Sequence, residues 1–258
     1  MNICQSLQAH FRNFKIAHFD HFEGSSLKAL KNIHPGKRCF IIGNGPSLRA
    51  ADLTKIQERG DISFAFNRIF HIFPDTPWRP TYYISQDEKM LKGCVDEVNA
   101  IQAKMKFVPI EMNWYYGIHL EGVTPFHIVT RHEDEPIDFS ENVPRYVANS
   151  LTVVYTAIQF AVYMGIKEIY LIGVDHHFHV SMNDKGEIVV DPTAKDYFSE
   201  AYNQDKENLY IPNTDRSTLT FVAARKYADA HGIKIYNATR GGKLEVFERV
   251  GFESLFCQ

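Results

Sequence analysis

Cysteine is scarce in this chain of 258 residues: Cys4, Cys39, Cys94 and Cys257 lie far apart, with no Cys-x-x-Cys pair. That spacing fits reduced thiols in the cytoplasm better than a disulfide scaffold or a thiolate zinc site. No apolar run approaches the ~20 residues of a membrane span. The stretch from Met1 to about Lys31 lacks the basic region followed by an apolar one that a secretory signal needs. The expectation is a cytoplasmic protein, with room for attachment at the inner face of the membrane. A basic excess is missing too, since the net charge is −3 and the 28 Lys and Arg are scattered, so nucleic acid is not expected as a partner. Neither Gly-x-Gly-x-x-Gly nor a Gly-Lys-Ser/Thr loop occurs, so the dinucleotide and ATP signatures are unmet. With no Asp-x-Asp either, metal independence is expected and no cofactor is required. Internal repeats and low-complexity tracts are absent.

What the chain has is core material. At 45% hydrophobic residues it is long enough for one large α/β domain rather than two independent ones. Residues 40–48 read Phe-Ile-Ile-Gly-Asn-Gly-Pro-Ser-Leu, an apolar strand running into a glycine-paired turn. Gly43 and Gly45 permit close backbone approach, Pro46 suits a first helical turn, and Ser47 offers a hydroxyl beside helix N–H groups, together a phosphate-sized surface. Beyond it the pattern predicts a helix over 48–57, strands over 62–67 and 81–85, a helix over 89–103 and a strand over 106–110. Residues 113–147 weaken into irregular structure with one strand near 126–129. Asn149-Ser150 resembles a cap for an apolar helix over 151–164, and a buried strand over 167–173 ends at Asp175. Residues 176–208 read as a lid or disordered loop ordered on ligand binding. A helix over 215–231 and a last parallel strand over 234–237 precede a tail opened by Gly241-Gly242.

This alternation predicts a Rossmann-like, mostly parallel sheet with helices on both faces. Residues 1–35 form a helical appendage, and 36–258 a single nucleotide- or nucleotide-sugar-binding catalytic domain with a lid over about 176–210. Around Phe11, Phe14, Phe19 and Phe22 the appendage packs on the main domain, the alternative being contact with a membrane surface or partner. Ligands of such sheets sit beyond the strand carboxyl ends at a topological switch. Gly43-Asn44-Gly45, Asn67-Arg68, Gln86-Asp87, Asp175-His176-His177 and Asn237-Ala238-Thr239-Arg240 all fall at such ends. Asp175 and Asp87 could orient a ribose or ligate Mg²⁺, and Arg240 offers a charge to a phosphate or carboxylate. The His176-x-x-His179 pair, with His177 between, has neither a helix nor a further ligand with credible metal spacing, so a surface or substrate-contact role is expected.

Three segments together, Ile-Ile-Gly-Asn-Gly-Pro-Ser-Leu at 41–48, Ala-Phe-Asn-Arg at 65–68 and Met-Gly-Ile-Lys-Glu-Ile-Tyr-Leu-Ile-Gly-Val-Asp at 164–175, resemble the CMP-sialic acid-dependent sialyltransferases of the Campylobacter type. They also resemble a bacterial family, often found with surface-polysaccharide genes, that shares a domain with an archaeal hydroxymethylpterin pyrophosphokinase. The ending Ile-Tyr-Asn-Ala-Thr-Arg-Gly-Gly-Lys-Leu-Glu-Val-Phe at 235–247 looks more like that second family. The resemblance implies nucleotide contacts at Gly43, Asn44, Gly45, Ser47 and Asn67, to which the residues' own placement adds Pro46, Asp87, Ser150 and Asp175 as expected nucleotide contacts. It implies a leaving-phosphate contact from His176 or His177 or from Tyr197 or Tyr202 in the lid, and Arg240 is expected by its charge to serve the same phosphate. The sialyltransferase histidine before Asn-Thr-Asp falls here on Tyr210, ahead of Asn213-Thr214-Asp215. Tyrosine, near pKa ~10, is a poor base at neutral pH, so His176, His177 or His179 is expected to replace it. The implied activity is glycosyl transfer from a nucleotide-activated, CMP-linked sialic acid-like donor to a glycan acceptor in surface-polysaccharide synthesis. Glycan-assembly association and a homo-oligomer are compatible with it. The alternatives are a Mg²⁺-dependent pyrophosphokinase, with Asp87 and Asp175 on the metal, and a non-catalytic nucleotide-sugar-binding module.

Overall fold

The computed structural model describes residues 3–130, 135–149, 152–182, 188–191, 193–204, 210 and 213–256. In chain order the elements are α1 (Ile3–Ala17), β1 (Arg38–Ile42), α2 (Ala50–Glu58), β2 (Ile62–Phe66), β3 (Tyr82–Ile84), α3 (Glu88–Lys92), α4 (Val95–Ala100), β4 (Met105–Pro109) and α5 (Ile110–Trp114). There follow β5 (Val123–Phe126), β6 (Ile128–Val129), β7 (Val147–Ala148), α6 (Val153–Tyr163), β8 (Glu168–Ile172), β9 (Val180–Met182), β10 (Ile188–Val190), α7 (Glu200–Gln204), α8 (Thr214–Ala230), β11 (Lys234–Asn237) and β12 (Glu248–Arg249). Short 3-10 turns fill Phe19–Leu30 and Ile69–Asp75.

Eight strands form one parallel sheet in the order β12-β11-β8-β1-β2-β3-β4-β5. Its central strands β1, β2, β4 and β8 are largely apolar runs because both faces are covered. Successive side chains of β1 alternate between the two cores: Cys39 and Ile41 pack with α6 and α8, while Phe40 and Ile42 pack with α2 and α4. The chain leaves β1 in one direction through β2 to β5 and returns to its other side as β8. The topological switch therefore lies between the carboxyl ends of β1 and β8, where ligands of this architecture bind.

Several expectations are corrected. The glycine turn does not run directly into a helix, because α2 starts at Ala50 with Arg49 as its cap. Pro46 is exposed outside it, and the Ser47 hydroxyl donates to Asp175 Oδ2 at 2.8 Å rather than sitting beside helix N–H groups. The helix expected over 89–103 is two helices, because the chain breaks at Gly93 and Cys94. Thr152, not Asn149-Ser150, precedes α6, and it makes no side-chain capping bond; Ser150 lies outside the described residues. The last parallel strand is not β11, since β12 joins it through Tyr236 and Asn237. In the expected lid, β9 and β10 form an antiparallel hairpin, and Asp196, Tyr202 and Asn203 are buried, so 195–204 is packed chain rather than loose cover.

Of the four N-terminal phenylalanines Phe19 is buried with the sheet core, while Phe11, Phe14 and Phe22 are exposed. Among the described residues no helix is long and apolar enough to cross a membrane.

Candidate functional site

The glycines at the switch are fixed by backbone contact. Gly43 N–H donates to Ile172 O and Gly45 N–H to Gly173 O, both at 2.8 Å, drawing the two strand ends together. A Cβ on Gly43 would meet Gly173 O at 2.3 Å, and one on Gly45 would meet Asp175 Oδ2 at 1.9 Å. The turn that sequence reasoning assigns to a ligand is thus first a packing device.

In front of it opens a cavity of about 640 Å³, within the range of small-molecule sites. Its wall runs from Gly43, Asn44 and Gly45 through Asn67, Gln86 and Asp87 to Glu111, and back by Asp175, His176, His177, Asp196, Tyr197 and Tyr202. The N-terminal ends of α6, at Thr152, and of α8, at Asn213 and Thr214, also open on it, which brings unpaired N–H groups and positive dipole ends to its edge. Asn213 caps α8 by accepting from Arg216 N at 2.9 Å.

Asn44 Nδ2 donates to Phe66 O at 3.1 Å, while its Oδ1 is buried with no partner among the described residues. Asn67 sits at φ +48°, and its Oδ1 accepts from the Ser85 hydroxyl at 3.1 Å. Burial raises the Asp175 carboxyl, against the opposing bonds from Ser47. Burial also raises Asp87, which caps α3 through Met90 N at 3.0 Å. Asp196, 2% exposed, accepts from both the backbone N and the ring Nδ1 of His179, at 3.0 and 2.7 Å. Asn203 holds its backbone in turn, accepting from Asp196 N at 2.9 Å. The His177 ring stands edge-on to His179 at 4.8 Å. An imidazole whose one nitrogen is held by a buried carboxylate keeps the other for a proton, the arrangement of an oriented general base.

A family model described as 6-hydroxymethylpterin diphosphokinase MptE-like matches residues 12–181, more than half of the chain. The chain belongs to the MptE-like family. Among solved structures, the MAf glycosyltransferase from Magnetospirillum magneticum AMB-1 matches with a TM-score of 0.52 at 14% identity, over 87% of this chain and 35% of that one. The likeness is one of fold, and this chain spans about a third of that protein's length. No curated protein matches it in sequence.

In this MptE-like chain the cavity brings together eleven of the expected site residues: Gly43, Asn44, Gly45, Asn67, Asp87, Asp175, His176, His177, Tyr197, Tyr202 and Tyr210. Arg240 is not on its wall. Its guanidinium pairs with Asp52 and Glu253, which ties the C-terminal segment to α2 and leaves no fork for a phosphate. Pro46 and Ser47 stand behind the wall, and His179 reaches it through Asp196. Tyr197 and Tyr202 stack face to face at 4.0 Å, and burial raises both phenols. Tyr210 is 52% exposed under Lys89, whose Nζ lies 4.5 Å from the ring; its phenol is raised, which suits a contact residue and not a base. Among the described residues no group of three or more His, Cys, Asp or Glu is arranged to hold a metal ion, and Asp87 and Asp175 are each engaged locally. Sequence reasoning missed Asp196, Glu111, Tyr116 and Thr130. For Asp196 the available signal was the adjacent Tyr197-Phe198, since an aromatic pair inside a polar stretch marks anchored chain.

His176 Nε2 bonds the Thr218 hydroxyl at 2.7 Å, and burial lowers its pKa, against the opposing charge of Asp215. Burial and neighbouring cations likewise lower His34 and His71. The native state resists protonating these rings while the unfolded chain takes up protons near pH ~6.5, so their contribution is lost as pH falls below that value. Asp87 and Asp175 act with the opposite sign, their protons being held more tightly in the native state. His176→Asn keeps a residue type that tolerates φ +54°. Its melting temperature should fall less than that of the wild type between pH 7.5 and 5.5; equal pH slopes would exclude His176 from the effect.

Proposed function

We propose that this chain is a glycosyltransferase that takes a CMP-linked, sialic acid-like sugar and passes it to a glycan acceptor in bacterial surface-glycan synthesis. The observation that carries this reading is one cavity whose wall holds the glycine turn at the β1/β8 switch, His177 and the buried carboxylate of Asp196, which orients the neighbouring imidazole of His179. Nucleotide and reacting atoms can then share one space. The name of the MAf structure lends support to this activity.

The nucleotide lies along Gly43 to Gly45, with Asn44 Oδ1 and Asn67 as polar contacts and the helix N-termini facing its phosphate. His179 takes the proton of an acceptor hydroxyl as the oxygen attacks the anomeric carbon. The bond to the phosphate oxygen breaks and its electron pair leaves with CMP, steadied by an N–H from His177. Direct displacement inverts the anomeric centre, and holding both partners in line supplies much of the rate.

The family's description favours a second reading, diphosphoryl transfer from ATP, a chemistry that usually employs Mg²⁺. Among the described residues the donor groups do not form a metal cage. A thermal-shift comparison separates the readings, because a ligand of the native state raises its apparent stability. CMP without metal should raise the melting temperature more than ATP with Mg²⁺. Stabilisation by ATP with Mg²⁺ alone would replace the glycosyltransferase, and tight CMP binding without turnover of CMP-sugars would leave a binding module.

A further inference from the structure

The far end of the cavity is built differently from the nucleotide end. Glu111 follows β4 directly, and β4 lies three strands from β1, roughly 14 Å across the sheet at ~4.8 Å per strand. Glu111 Oε1 accepts from His127 Nδ1 at 2.5 Å, with both side chains largely buried. Its Oε2 is buried and has no hydrogen-bond partner among the described residues, although the residue lines the cavity. A buried carboxylate oxygen left without a donor is costly, so the site is incomplete without a ligand that brings one.

The surroundings define that ligand. Tyr116 and Tyr210 also line this end and are half exposed. Each ring has a lysine ammonium near it, Lys92 at 5.4 Å from Tyr116 and Lys89 at 4.5 Å from Tyr210. Thr130 and Asn149 close the wall, joined by a bond from Asn149 Nδ2 to the Thr130 hydroxyl at 2.9 Å. Glu88 stands behind the tyrosines with a second buried carboxylate oxygen, Oε2, that has no partner among the described residues. Phenol rings offer flat apolar faces with polar edges, and the carboxylate of Glu111 accepts hydroxyl hydrogens. Together they match a pyranose ring: C–H face on a tyrosine, hydroxyls on Glu111. A sugar carboxylate would bring acceptors and not the donor that Glu111 Oε2 lacks, so an anionic sugar is disfavoured here even with Lys89 and Lys92 beside the rings.

We propose that Glu111, positioned by His127, and the rings of Tyr116 and Tyr210 form the acceptor subsite, and that the acceptor terminates in an uncharged sugar bound through its hydroxyls. This rests on the glycosyltransferase reading, since it takes the nucleotide end as filled by the donor. It extends that reading by assigning the acceptor's class and the residues that select it.

The test uses the full chain with CMP present and saturation-transfer NMR against methyl β-galactoside, methyl β-glucoside, methyl N-acetyl-β-galactosaminide and, as the anionic control, methyl β-glucuronide. At least one neutral glycoside should bind and the glucuronide should not. Glu111→Gln and Tyr116→Ala should each weaken that binding tenfold or more while the CMP-induced thermal shift stays that of the wild type. Because Tyr116 is exposed, Tyr116→Ala keeps the test sound should Glu111→Gln fail to fold. Neutral glycosides that bind both variants as tightly as the wild type overturn the proposal, as does preference for the glucuronide or binding of none of the four. If CMP fails to bind but the glycosides bind in a manner sensitive to both variants, the donor reading falls and the sugar subsite stands.

Discussion

His179→Ala is expected to lower kcat for sugar transfer by about 10²- to 10⁴-fold, the usual contribution of a positioned general base, while donor KM changes little. The expectation rests on geometry: both the ring Nδ1 and the backbone N of His179 converge on one oxygen of a buried carboxylate. The ring therefore has one orientation, and among the described residues its second nitrogen has no hydrogen-bond partner. Asp196→Asn keeps the shape and removes the charge that would stabilise the imidazolium, so it should cost less than His179→Ala. If the two residues work as a unit, the double variant should be no slower than His179→Ala alone. Steady-state kinetics with CMP-linked donors reads both. Full activity of His179→Ala would rule this base out and direct attention to His177, whose ring lies at 4.8 Å.

The sheet was legible because its strands are short apolar runs separated by amphipathic helices, so β1, β2, β4 and β8 could be located within a residue or two. The switch point followed from their order. Glycine-linked details were less legible. Gly43-Asn44-Gly45-Pro46-Ser47 reads as the start of a helix on local preference, yet tertiary contact with Gly173 and Asp175 holds Ser47 in a loop before Ala50. Arg240 looked available because its partners Asp52 and Glu253 lie 188 and 13 residues away, and ion pairs at such separation leave no local pattern. Glu111 and Asp196 had their partners hidden for the same reason. Each is an acidic residue in a weakly periodic stretch, and only folding shows that one carboxylate meets His127 and the other His179. Tyr202 was assigned to a mobile lid on the polarity of its neighbours, but its own burial against Tyr197 pins that segment.

Gly173→Ala should be among the most damaging single substitutions in the chain, and for a reason that can be isolated. Gly173 has φ +64°, where an L side chain costs about 1–2 kcal/mol. Its Cβ would also stand 2.6 Å from Gly43 O and 3.2 Å from Leu48 Cβ. The first of these is a backbone atom at the end of β1, so no rotamer change can relieve the clash, and overpacking of this kind adds about 1–3 kcal/mol. Gly60 supplies the control: its φ is +67°, and a Cβ added there would meet nothing within 4 Å, so Gly60→Ala carries the conformational cost alone. Urea denaturation should therefore rank Gly173→Ala below Gly60→Ala by the packing contribution. The functional consequence follows from the same contact. Relief of the clash requires the ends of β1 and β8 to separate, which displaces Gly43 to Gly45 from the cavity wall. Gly173→Ala should thus lose CMP-induced stabilisation at temperatures where it is still folded, and Gly60→Ala should keep it. Equal stability of the two variants would show that the switch tolerates a Cβ. Retained CMP binding in Gly173→Ala would show that the nucleotide does not lie against the β1/β8 crevice.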